Sequence, residues 1–506
     1  MIGERPVAHD GGRAQGGARP YHRRVATSPR TPSSAVAAEL AAIVGERGVR
    51  TDALARSAYE SDGFMLQREA PSIVVLPRST EEAAAAIKVL RREGLVVVPR
   101  GAGTGLTGGA RPIAGGAILG TARMKRILEI NPEDRYARVE AGVVNVHLTA
   151  ATCSHGLFYA PDPSSQTACT IGGNVGNNSG GPHCFKYGST NRHVLGLTLV
   201  DSEGEITRVG GIEPDPDGID LLGPLVGSEG MMGLVTEVTV KLESSPERVE
   251  TLLVMFESLD ACCDAVSDMI AARLEPSAIE ILDRLTIEAV EASVLRAGYP
   301  EHAEAVMLVE VEGGPHEVDA IATDIIELTR ARGAFEARRT ADPEERKKLW
   351  AGRKGAFGAM GRIAPDLYVA DVVVPRTRLR DIVGVASRAC AARGLKLSNV
   401  FHAGDGNLHP NISYDRRDAD EVARVLAAGK EIMEACVAFG GSLTGEHGVG
   451  LEKQGEMCLV FGDDDLAAMS DLRAAFDPHG FWNPGKLFPV RGCREIEARP
   501  LGAEAR

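Results

Sequence analysis

The pattern of apolar and polar positions predicts a βαβ unit near the start of the regular chain. Its strands are the apolar runs 73–76 and 95–98, and its helix covers 81–92, where apolar residues recur at helical spacing. Ser79 followed three residues later by Glu82 predicts a capping box at the start of this helix. The second strand leads directly into glycine-rich chain.

The pattern changes near residues 244–246. Residues 117–242 are rich in predicted strands with short loops, whereas strands and helices alternate after Pro246. The alternation predicts an α+β domain with an antiparallel sheet and helices on one side. The predicted strands of this second region are 249–256, 278–282, 306–311 and 368–374, and the predicted helices are 259–273, 284–297, 316–332 and 342–360.

Length and composition indicate a multidomain globular protein. With 506 residues the chain exceeds the size of one hydrophobic core, and its 44% hydrophobic and 25% charged residues are ordinary for such proteins. Residues 1–33 are rich in Arg, Gly, Pro and Ser without apolar periodicity, which indicates a disordered tail or a start codon placed too early. A transit peptide is the less favoured interpretation.

Charge and cysteine usage exclude several classes of function. The net charge of −14 argues against a nucleic-acid-binding protein, although a pocket can still be locally basic and bind an anion. No run of eighteen apolar residues predicts a transmembrane helix. The nine cysteines are scattered without a CxxC pair, so no disulfide framework, zinc ribbon or iron–sulfur ligand run is expected, and a reducing cytoplasm is favoured.

A glycine-rich loop follows the second strand of the βαβ unit. Residues 103–108 satisfy the GxGxxG pattern, but a dinucleotide-binding loop must open a helix, and Pro112 with the Gly115–Gly116 pair prevents one here. The small residues instead allow backbone N–H groups to approach a pyrophosphate closely. The alternative is a glycine-rich turn without a ligand.

Two further glycine-rich stretches cover 161–181 and 227–236. Both are too polar or too rich in glycine for a core. Three such loops in one domain predict a large, elongated ligand that carries phosphate.

Histidines and a carboxylate recur in two glycine-flanked loops near the C-terminus. His402 and His409 are separated by the sequence 404–407, which predicts strand–turn–strand rather than helix and brings both imidazoles toward one point. Glu446 and His447 follow in the second loop. Two His and one carboxylate form the ligand set of an open catalytic metal site. Alternatively, these histidines cap turns or line a cofactor.

Three motifs carry a resemblance to a known family. They are HAGDGNLH at 402–409, GEHGVG at 445–450 and the segment from FDP to NPGK at 476–486. With the three glycine-rich loops, they resemble the FAD-linked subunits of bacterial glycolate oxidase and their D-lactate and D-2-hydroxyglutarate dehydrogenase relatives. These belong to the vanillyl-alcohol oxidase / p-cresol methylhydroxylase superfamily.

The resemblance implies an α+β protein with a two-subdomain FAD-binding domain and a ferredoxin-like α+β cap domain. The implied division is a tail (1–33), an N-terminal FAD-binding domain (34–245), a cap domain (246–440), a C-terminal segment that completes the active site (441–490) and a tail (491–506). The first loop contains no His or Cys, so the FAD is expected to be non-covalent. The residues implied to bind FAD are Arg100, Gly101, Ala102, Gly103, Thr104, Gly105, Thr107, Gly108, Pro161, Asp162, Ser165, Gly172, Gly173, Asn177, Gly180, Glu229, Gly230, Val235 and Asn483.

The same resemblance implies catalytic and metal-binding roles. His402, His409 and Glu446 match ligands of a divalent metal, Zn or Mn, and His447 matches the catalytic base. The resemblance adds Arg353 as a bidentate clamp on a substrate carboxylate, for which a solvated helix charge is the alternative, and Asn411 as a further catalytic residue. His147, His155, His183 and His193 have no comparable constellation and are interpreted as structural or surface residues.

The implied reaction is oxidation of a small D-2-hydroxy acid to the 2-oxo acid by hydride transfer to flavin N5. Phe357 and Val369 stand where the 2-hydroxyglutarate enzymes hold a second carboxylate, which favours glycolate or D-lactate. The family implies an iron–sulfur partner subunit or quinone as electron acceptor, a second FAD-domain subunit, and attachment to the inner face of the membrane only through partners. It leaves a homodimer open.

Four alternatives remain at this point. An oxidase of the same fold would use O₂ directly, and a D-2-hydroxyglutarate-type dehydrogenase would take a dicarboxylate. A zinc hydrolase would use the two His and the Glu without flavin. A subunit of a redox complex would have no catalytic activity of its own.

Overall fold

The computed structural model describes residues 32–212 and 218–489. The predicted tails lie outside the described residues, apart from residues 32 and 33. Along the described chain, no helix is both long enough and apolar enough to cross a membrane.

The N-terminal domain contains a four-stranded and a five-stranded sheet, each with its own hydrophobic core. The first sheet has the order β1-β2-β4-β3, with β2, β4 and β3 parallel; its strands are β1 (Val49–Arg50), β2 (Ile73–Val75), β3 (Val97–Arg100) and β4 (Ala117–Gly120). The second is antiparallel with the order β5-β6-β10-β8-β9; its strands are β5 (Ile127–Asn131), β6 (Tyr136–Glu140), β8 (Val194–Val200), β9 (Ile206–Gly210) and β10 (Leu234–Lys241). A small pair joins β7 (Leu157–Phe158) to β11 (Glu243–Ser244).

Six helices accompany these sheets: α1 (Ser34–Val44), α2 (Ala53–Ser57), α3 (Thr80–Arg92), α4 (Asn145–Thr152), α5 (Ile171–Asn177) and α6 (Cys184–Tyr187). The predicted βαβ unit is confirmed by β2, α3 and β3. The capping box is only half formed, because the Ser79 hydroxyl accepts from the Glu82 N–H while the Glu82 carboxylate accepts from the N–H of Arg78.

The cap domain is built on an eight-stranded antiparallel sheet. Its strands are β12 (Arg248–Phe256), β13 (Ala278–Asp283), β14 (Ala305–Gly313), β15 (Ala334–Thr340), β16 (Asp366–Val369), β17 (Val372–Val373), β18 (Lys396–His402) and β19 (Asn407–Tyr414). The order is β15-β12-β14-β13-β18-β19-β16, with β17 also paired to β19. The first four strands in this order match a ferredoxin-like arrangement, as the resemblance implies.

Helices pack on both faces of this sheet, so the prediction of helices on one side is wrong. The cap and C-terminal helices are α7 (Leu259–Ala271), α8 (Arg284–Glu291), α9 (Pro315–Ala331), α10 (Pro343–Lys354), α11 (Ala356–Met360), α12 (Leu379–Ala391), α13 (Ala419–Ala438) and α14 (Asp463–Phe476). One face packs against α7, α9, α12 and α13, and part of the other packs against α8, α10 and α11. The alternation of apolar residues reports burial but not which face a helix covers.

Two predicted helices are shorter than expected. The helix predicted over 284–297 ends at Glu291, whose carboxylate accepts hydrogen bonds from the N–H groups of residues 297, 298 and 299 and so bends the chain into a loop. The helix predicted over 342–360 is divided at Gly355 into α10 and α11. A Cβ on Gly355 would lie 2.0 Å from Leu295 Cδ1, the end of a partly exposed side chain, and 3.0 Å from Ala351 O, so any larger residue here requires Leu295 to move.

The C-terminal segment returns to the first sheet of the N-terminal domain. The Val97 N–H donates to Phe481 O at 2.9 Å, and the Asn483 N–H donates to Val97 O at 2.8 Å. Trp482, which lies between them, is fully buried in the core of this sheet beside Leu90. Residues 481–483 therefore extend the sheet beyond β3.

The described cysteines do not form a disulfide framework. Seven are free thiols, whereas Cys458 is disulfide-bonded, which the scattered cysteine pattern did not predict.

We predict that Trp482→Ala lowers the free energy of unfolding by about 3–5 kcal/mol, because it leaves a large cavity in the core of the first sheet. The urea midpoint, followed by circular dichroism with excess FAD, measures the loss. Leu54→Ala is the matched control, since this side chain is 84% exposed and its truncation should cost less than about 0.5 kcal/mol. Equal losses in the two variants would contradict the buried role of Trp482.

Candidate functional site

A cavity of about 650 Å³ lies between the N-terminal and cap domains, with the C-terminal segment on one side. All three glycine-rich loops line it, so the predicted convergence of the loops is observed. The residues predicted to bind FAD that line the cavity are Arg100, Gly101, Ala102, Gly103, Thr104, Gly105, Thr107, Ser165, Gly172, Gly173, Asn177, Glu229, Gly230 and Val235.

The first loop presents unpaired backbone donors to this cavity. Among the described residues, the N–H groups of residues 102–106 donate no hydrogen bond to a protein acceptor. The loop starts no helix, as predicted, and the left-handed φ of +74° at Gly103 turns the chain where a side chain would meet Arg100. Ala102 is exposed and residues 103–106 are half-buried, so this row of free N–H groups is open to the cavity and fits an anionic group such as a pyrophosphate.

The second loop approaches the first through a short helix, which glycine content alone did not predict. The Thr170 hydroxyl caps α5 by accepting from the Gly173 N–H at 3.2 Å. A Cβ on Gly101 would lie 2.4 Å from the Thr170 hydroxyl, and one on Gly172 would lie 2.6 Å from the Ala141 Cβ. A Cβ on Gly176 would meet nothing within 4 Å, because this residue faces the cavity. The cavity therefore fits FAD by both its donors and its space.

Five predicted FAD-binding residues lie off the cavity wall: Gly108, Pro161, Asp162, Gly180 and Asn483. Asn483 supports the wall from behind, since its amide donates to Gly109 O and Glu229 O at 2.9 and 2.8 Å. The carboxylate of Asp162 instead accepts hydrogen bonds from His183 Nδ1 and Lys354 Nζ. Their direct contact with FAD stays a prediction.

Glu229 joins the third loop to the C-terminal segment. Its buried carboxylate accepts hydrogen bonds from the N–H groups of Val449 and Gly450 at 2.7 and 2.8 Å. These residues follow Glu446 and His447, so the loop that lines the cofactor region also holds the histidine-bearing loop in place. Burial raises the pKa of Glu229, while these two N–H donors favour its ionised form.

The predicted metal ligands converge at one end of the cavity. His402 and His409 lie on the β18–β19 hairpin, where His402 pairs with Asn407, so the two imidazoles project from the same face. Their Nε2 atoms lie 3.0 and 3.2 Å from Glu446 Oε1. The other carboxylate oxygen, Oε2, is buried without a hydrogen-bond partner. Two imidazole nitrogens and an unpartnered carboxylate oxygen fit a divalent cation.

Two carboxylates that the sequence analysis missed orient these ligands. Glu280 on β13 lies directly opposite His402 and accepts from its Nδ1 at 2.7 Å, which directs Nε2 toward Glu446. Asp371 lies 3.7 Å from His409 Nδ1 and accepts from the His447 N–H at 3.1 Å. Asp371 also interrupts the strand predicted over 368–374, dividing it into β16 and β17. A lone carboxylate within an apolar strand is the signal that could have found both.

His447 lines the cavity beside the ligand cluster. Its ring stacks on His409 with centroids 4.8 Å apart, and its Nδ1 is buried without a hydrogen-bond partner. Burial lowers the pKa of His447 to about 4, so the imidazole is neutral near pH 7. Burial would also lower the pKa of His402, but the carboxylates of Glu280 and Glu446 outweigh it and raise that pKa to about 10.

Arg353 and Asn411 lie behind the cavity wall. Arg353 is fully buried, and its Nε donates to Glu280 at 2.6 Å, while its Nη1 has no hydrogen-bond partner. The Asn411 amide donates to His409 O at 2.8 Å, and its Oδ1 is also unpartnered. Both therefore adjoin the ligand cluster, and their contact with substrate stays a prediction.

The cap-domain wall of the cavity is mainly apolar and carries two cations. Phe357, Leu367 and Val369 line it, together with Lys354 and Arg416. Phe357 and Val369 stand at the positions where the sequence analysis placed the second-carboxylate site of the 2-hydroxyglutarate enzymes. Both carry apolar side chains that line the cavity. Further lining residues that the sequence analysis did not single out include Met65, Thr121, Ser164, Thr170, Asn174, Ser179, Ser228, Asp366 and Arg416.

Comparison with sequence families matches each half of the chain to a flavoprotein domain family. A family model described as FAD binding domain matches residues 71–210, and one described as FAD linked oxidases, C-terminal domain, matches residues 245–487. The predicted FAD cofactor is thereby confirmed.

Curated relatives match over most of their length. The glycolate oxidase subunit GlcD of Escherichia coli (strain K12) is 44% identical over 441 residues, which cover 87% of this chain and 88% of the relative. GlcD of Bacillus subtilis (strain 168) is 39% identical, with 88% and 94% covered. A D-lactate dehydrogenase of Anaerostipes hadrus is 31% identical, with 82% and 89% covered.

Solved structures confirm the predicted α+β fold class. The 4-ethylphenol oxidase from Gulosibacter chungangensis superposes with a TM-score of 0.75 at 19% identity, covering 91% of this chain and 99% of the other. A p-cresol methylhydroxylase superposes with a TM-score of 0.75 at 17% identity, covering 90% and 97%. These identities establish the fold alone. The family matches and the relatives together show that the chain belongs to the FAD-linked oxidase family and is an FAD-dependent oxidoreductase.

Proposed function

We propose that the protein oxidises a small D-2-hydroxy acid, glycolate or D-lactate, to the corresponding 2-oxo acid. The observation that carries this proposal is that Glu446 and His447 line the same cavity as the three cofactor loops, with His402 and His409 directly behind Glu446. Such an arrangement brings a polarised alcohol, a base and a flavin together. The GlcD and D-lactate dehydrogenase names of the relatives agree with this substrate class.

His447 accepts the hydroxyl proton in this proposal. Its neutral imidazole has an unpartnered nitrogen and lines the cavity beside Glu446. His402, His409 and Glu446 would hold a divalent cation, Zn or Mn, whose contribution when bound is Lewis-acid polarisation of the alcohol oxygen. Glu280 and Asp371 keep the two imidazoles oriented for that task.

The substrate carboxylate is held from α10, where Arg353 retains one buried, unpartnered Nη1. Phe357 and Val369 offer no partner for a second carboxylate. The two cations of this wall are already paired, Lys354 with Asp162 and Arg416 with Asp366, so a dicarboxylate would bury a charge without a free partner. Bound FAD supplies the acceptor for the C2 hydride at flavin N5. Asn411 supports the hairpin strand that carries His409.

We propose that a separate iron–sulfur subunit or quinone reoxidises the flavin. The named relatives are subunits of glycolate oxidase, which agrees with a multi-subunit complex. A second FAD-domain subunit, a cytoplasmic location and contact with the membrane only through partners belong to the same proposal. A homodimer is an alternative assembly.

We predict that glycolate or D-lactate bleaches the visible flavin band under anaerobic conditions, whereas D-2-hydroxyglutarate does not, because Phe357 and Val369 are apolar and the cations of this wall are already paired with protein carboxylates. Absorbance spectra of the purified holoenzyme, recorded after each acid and with L-lactate as a stereochemical control, check this. A yellow protein that no 2-hydroxy acid bleaches would overturn the substrate class. A colourless protein that takes up no FAD would contradict the family assignment, and peroxide formed in stoichiometric amounts in air would favour an oxidase.

The base assignment predicts that His447→Gln slows flavin reduction at saturating substrate at least about 100-fold while FAD stays bound. Stopped-flow absorbance measures the rate, and the flavin spectrum reports cofactor content. His147→Gln is the control, since His147 is exposed on α4, away from the cavity, and should reduce flavin within twofold of the wild-type rate. Near-normal reduction by the His447 variant would show that another group takes the proton.

The ligand assignment predicts about one divalent metal per chain in the active protein, and its loss in Glu446→Gln. Elemental analysis checks the content. Dialysis against a chelator should abolish reduction by substrate but not by dithionite, and Zn or Mn should restore it. Full activity in protein shown to be metal-free would remove the metal from the mechanism.

A further inference from the structure

A chain of five alternating charges joins the N-terminal domain to the cap domain beside the cavity. His183 lies at its centre, with Nδ1 3.0 Å from Asp162 Oδ2 and Nε2 2.9 Å from Glu310 Oε1. Lys354 extends the chain on one side, 2.8 Å from Asp162, and Arg346 extends it on the other, 3.1 Å from Glu310. The sequence analysis interpreted His183 as a structural or surface residue and did not predict its place in this chain of charges.

Two neighbouring members of this chain, Asp162 and Lys354, belong to opposite walls of the cavity. Asp162 immediately precedes residues 163–165 of the second loop, which line the cavity from the N-terminal domain. Lys354 lines it from the cap domain, and it follows Arg353 at the end of α10. A shift of one wall against the other therefore changes the distance between the cofactor loops and the substrate-binding helix.

An imidazolium satisfies both carboxylates at once at this position, because its two ring nitrogens donate in different directions. A glutamine at this position would donate from one nitrogen only and would carry no charge. Burial would lower the pKa of His183, but Asp162 and Glu310 raise it well above its ordinary value. Burial also opposes ionisation of Glu310, yet His183 and Arg346 lower its pKa to about 2.

Packing holds the imidazole in this orientation. Its ring lies against Trp350 with centroids 5.6 Å apart, and the Trp350 indole donates to the Thr251 hydroxyl at 3.2 Å. Thr251 in turn donates to Glu310 at 3.2 Å. The ring and its cap-domain carboxylate are thus positioned by the same group of side chains.

We propose that His183 is a positioning residue that fastens the cap domain to the second cofactor loop and so sets the alignment of the two cavity walls. Its kinetic consequence rests on the proposed function, whereas the fastening itself does not. Misalignment of about 1 Å can cost about 100-fold in rate. The fastening therefore acts on the rate of flavin reduction rather than on FAD content.

The test compares His183→Gln with Lys186→Met. Lys186 also joins the two domains, through Glu312 at 3.1 Å, but it does not line the cavity, which makes it a matched control. We expect His183→Gln to retain FAD and to slow flavin reduction at saturating substrate at least about 10-fold. Lys186→Met should stay within twofold of wild type. Equal slowing by both variants, or none by His183→Gln, would overturn the proposal.

A double-mutant cycle with Glu310→Met tests the contact itself. Because His183→Gln and Glu310→Met remove the same contact, their effects on the reduction rate should be non-additive, whereas those of His183→Gln and Lys186→Met should add. Additive effects of the first pair would contradict a shared fastening. A loss of thermal stability without any change in reduction rate would show a merely structural role.

Hydrogen exchange separates this proposal from the proposed function. In His183→Gln, peptides covering 160–165 and 343–354 should exchange at least about 10-fold faster than in wild type, with no change in Lys186→Met. If no 2-hydroxy acid reduces the wild-type flavin, the proposed function fails while this comparison still decides the fastening. Unchanged exchange in both segments would overturn the fastening whatever the substrate.

Discussion

The carboxylate of Glu446 meets the Nε2 atoms of two histidines in a buried site, and much of the fold is arranged around this contact. Buried ionisable groups destabilise a protein unless they are paired and hydrogen-bonded. Glu280 meets this requirement for His402, whereas Asp371 lies 3.7 Å from His409 Nδ1 as a nearby opposite charge without a hydrogen bond, and is itself paired with Lys453. The cluster therefore depends on partners from β13 and from the break between β16 and β17, as well as on the hairpin itself.

The C-terminal segment belongs to both halves of the site. Through Trp482 it extends the first sheet of the N-terminal domain, and through Glu446 it reaches the cap-domain hairpin. Glu229 links the third cofactor loop to the same segment by two backbone hydrogen bonds. Cofactor loops and candidate metal ligands are thus held by one continuous stretch of chain, which keeps the flavin region and the substrate region at a set distance.

The buried charged groups at the boundary between the N-terminal and cap domains are also paired with opposite charges. Asp162, His183 and Glu310 alternate in sign between Lys354 and Arg346, so each buried charge has opposite charges as neighbours. Such a chain stabilises one relative position of the two domains, because a shift breaks several charge-assisted hydrogen bonds together. The proposed reaction needs that position, since the alcohol must lie between a base on one side and the flavin on the other.

The sequence by itself determined those features that depend on residues close together along the chain. The period of apolar residues predicted the βαβ unit, and Gly404–Asp405–Gly406 between strand-like flanks predicted the hairpin that brings His402 and His409 together. The glycine and proline content after residue 108 correctly excluded a helix there. Contacts between distant residues were decided only by the tertiary structure. Sheet register places Glu280 opposite His402, 122 positions away, and domain packing brings Glu310 to His183, 127 positions away. No local pattern encodes these pairs, because each depends on where two independently folded elements come to lie.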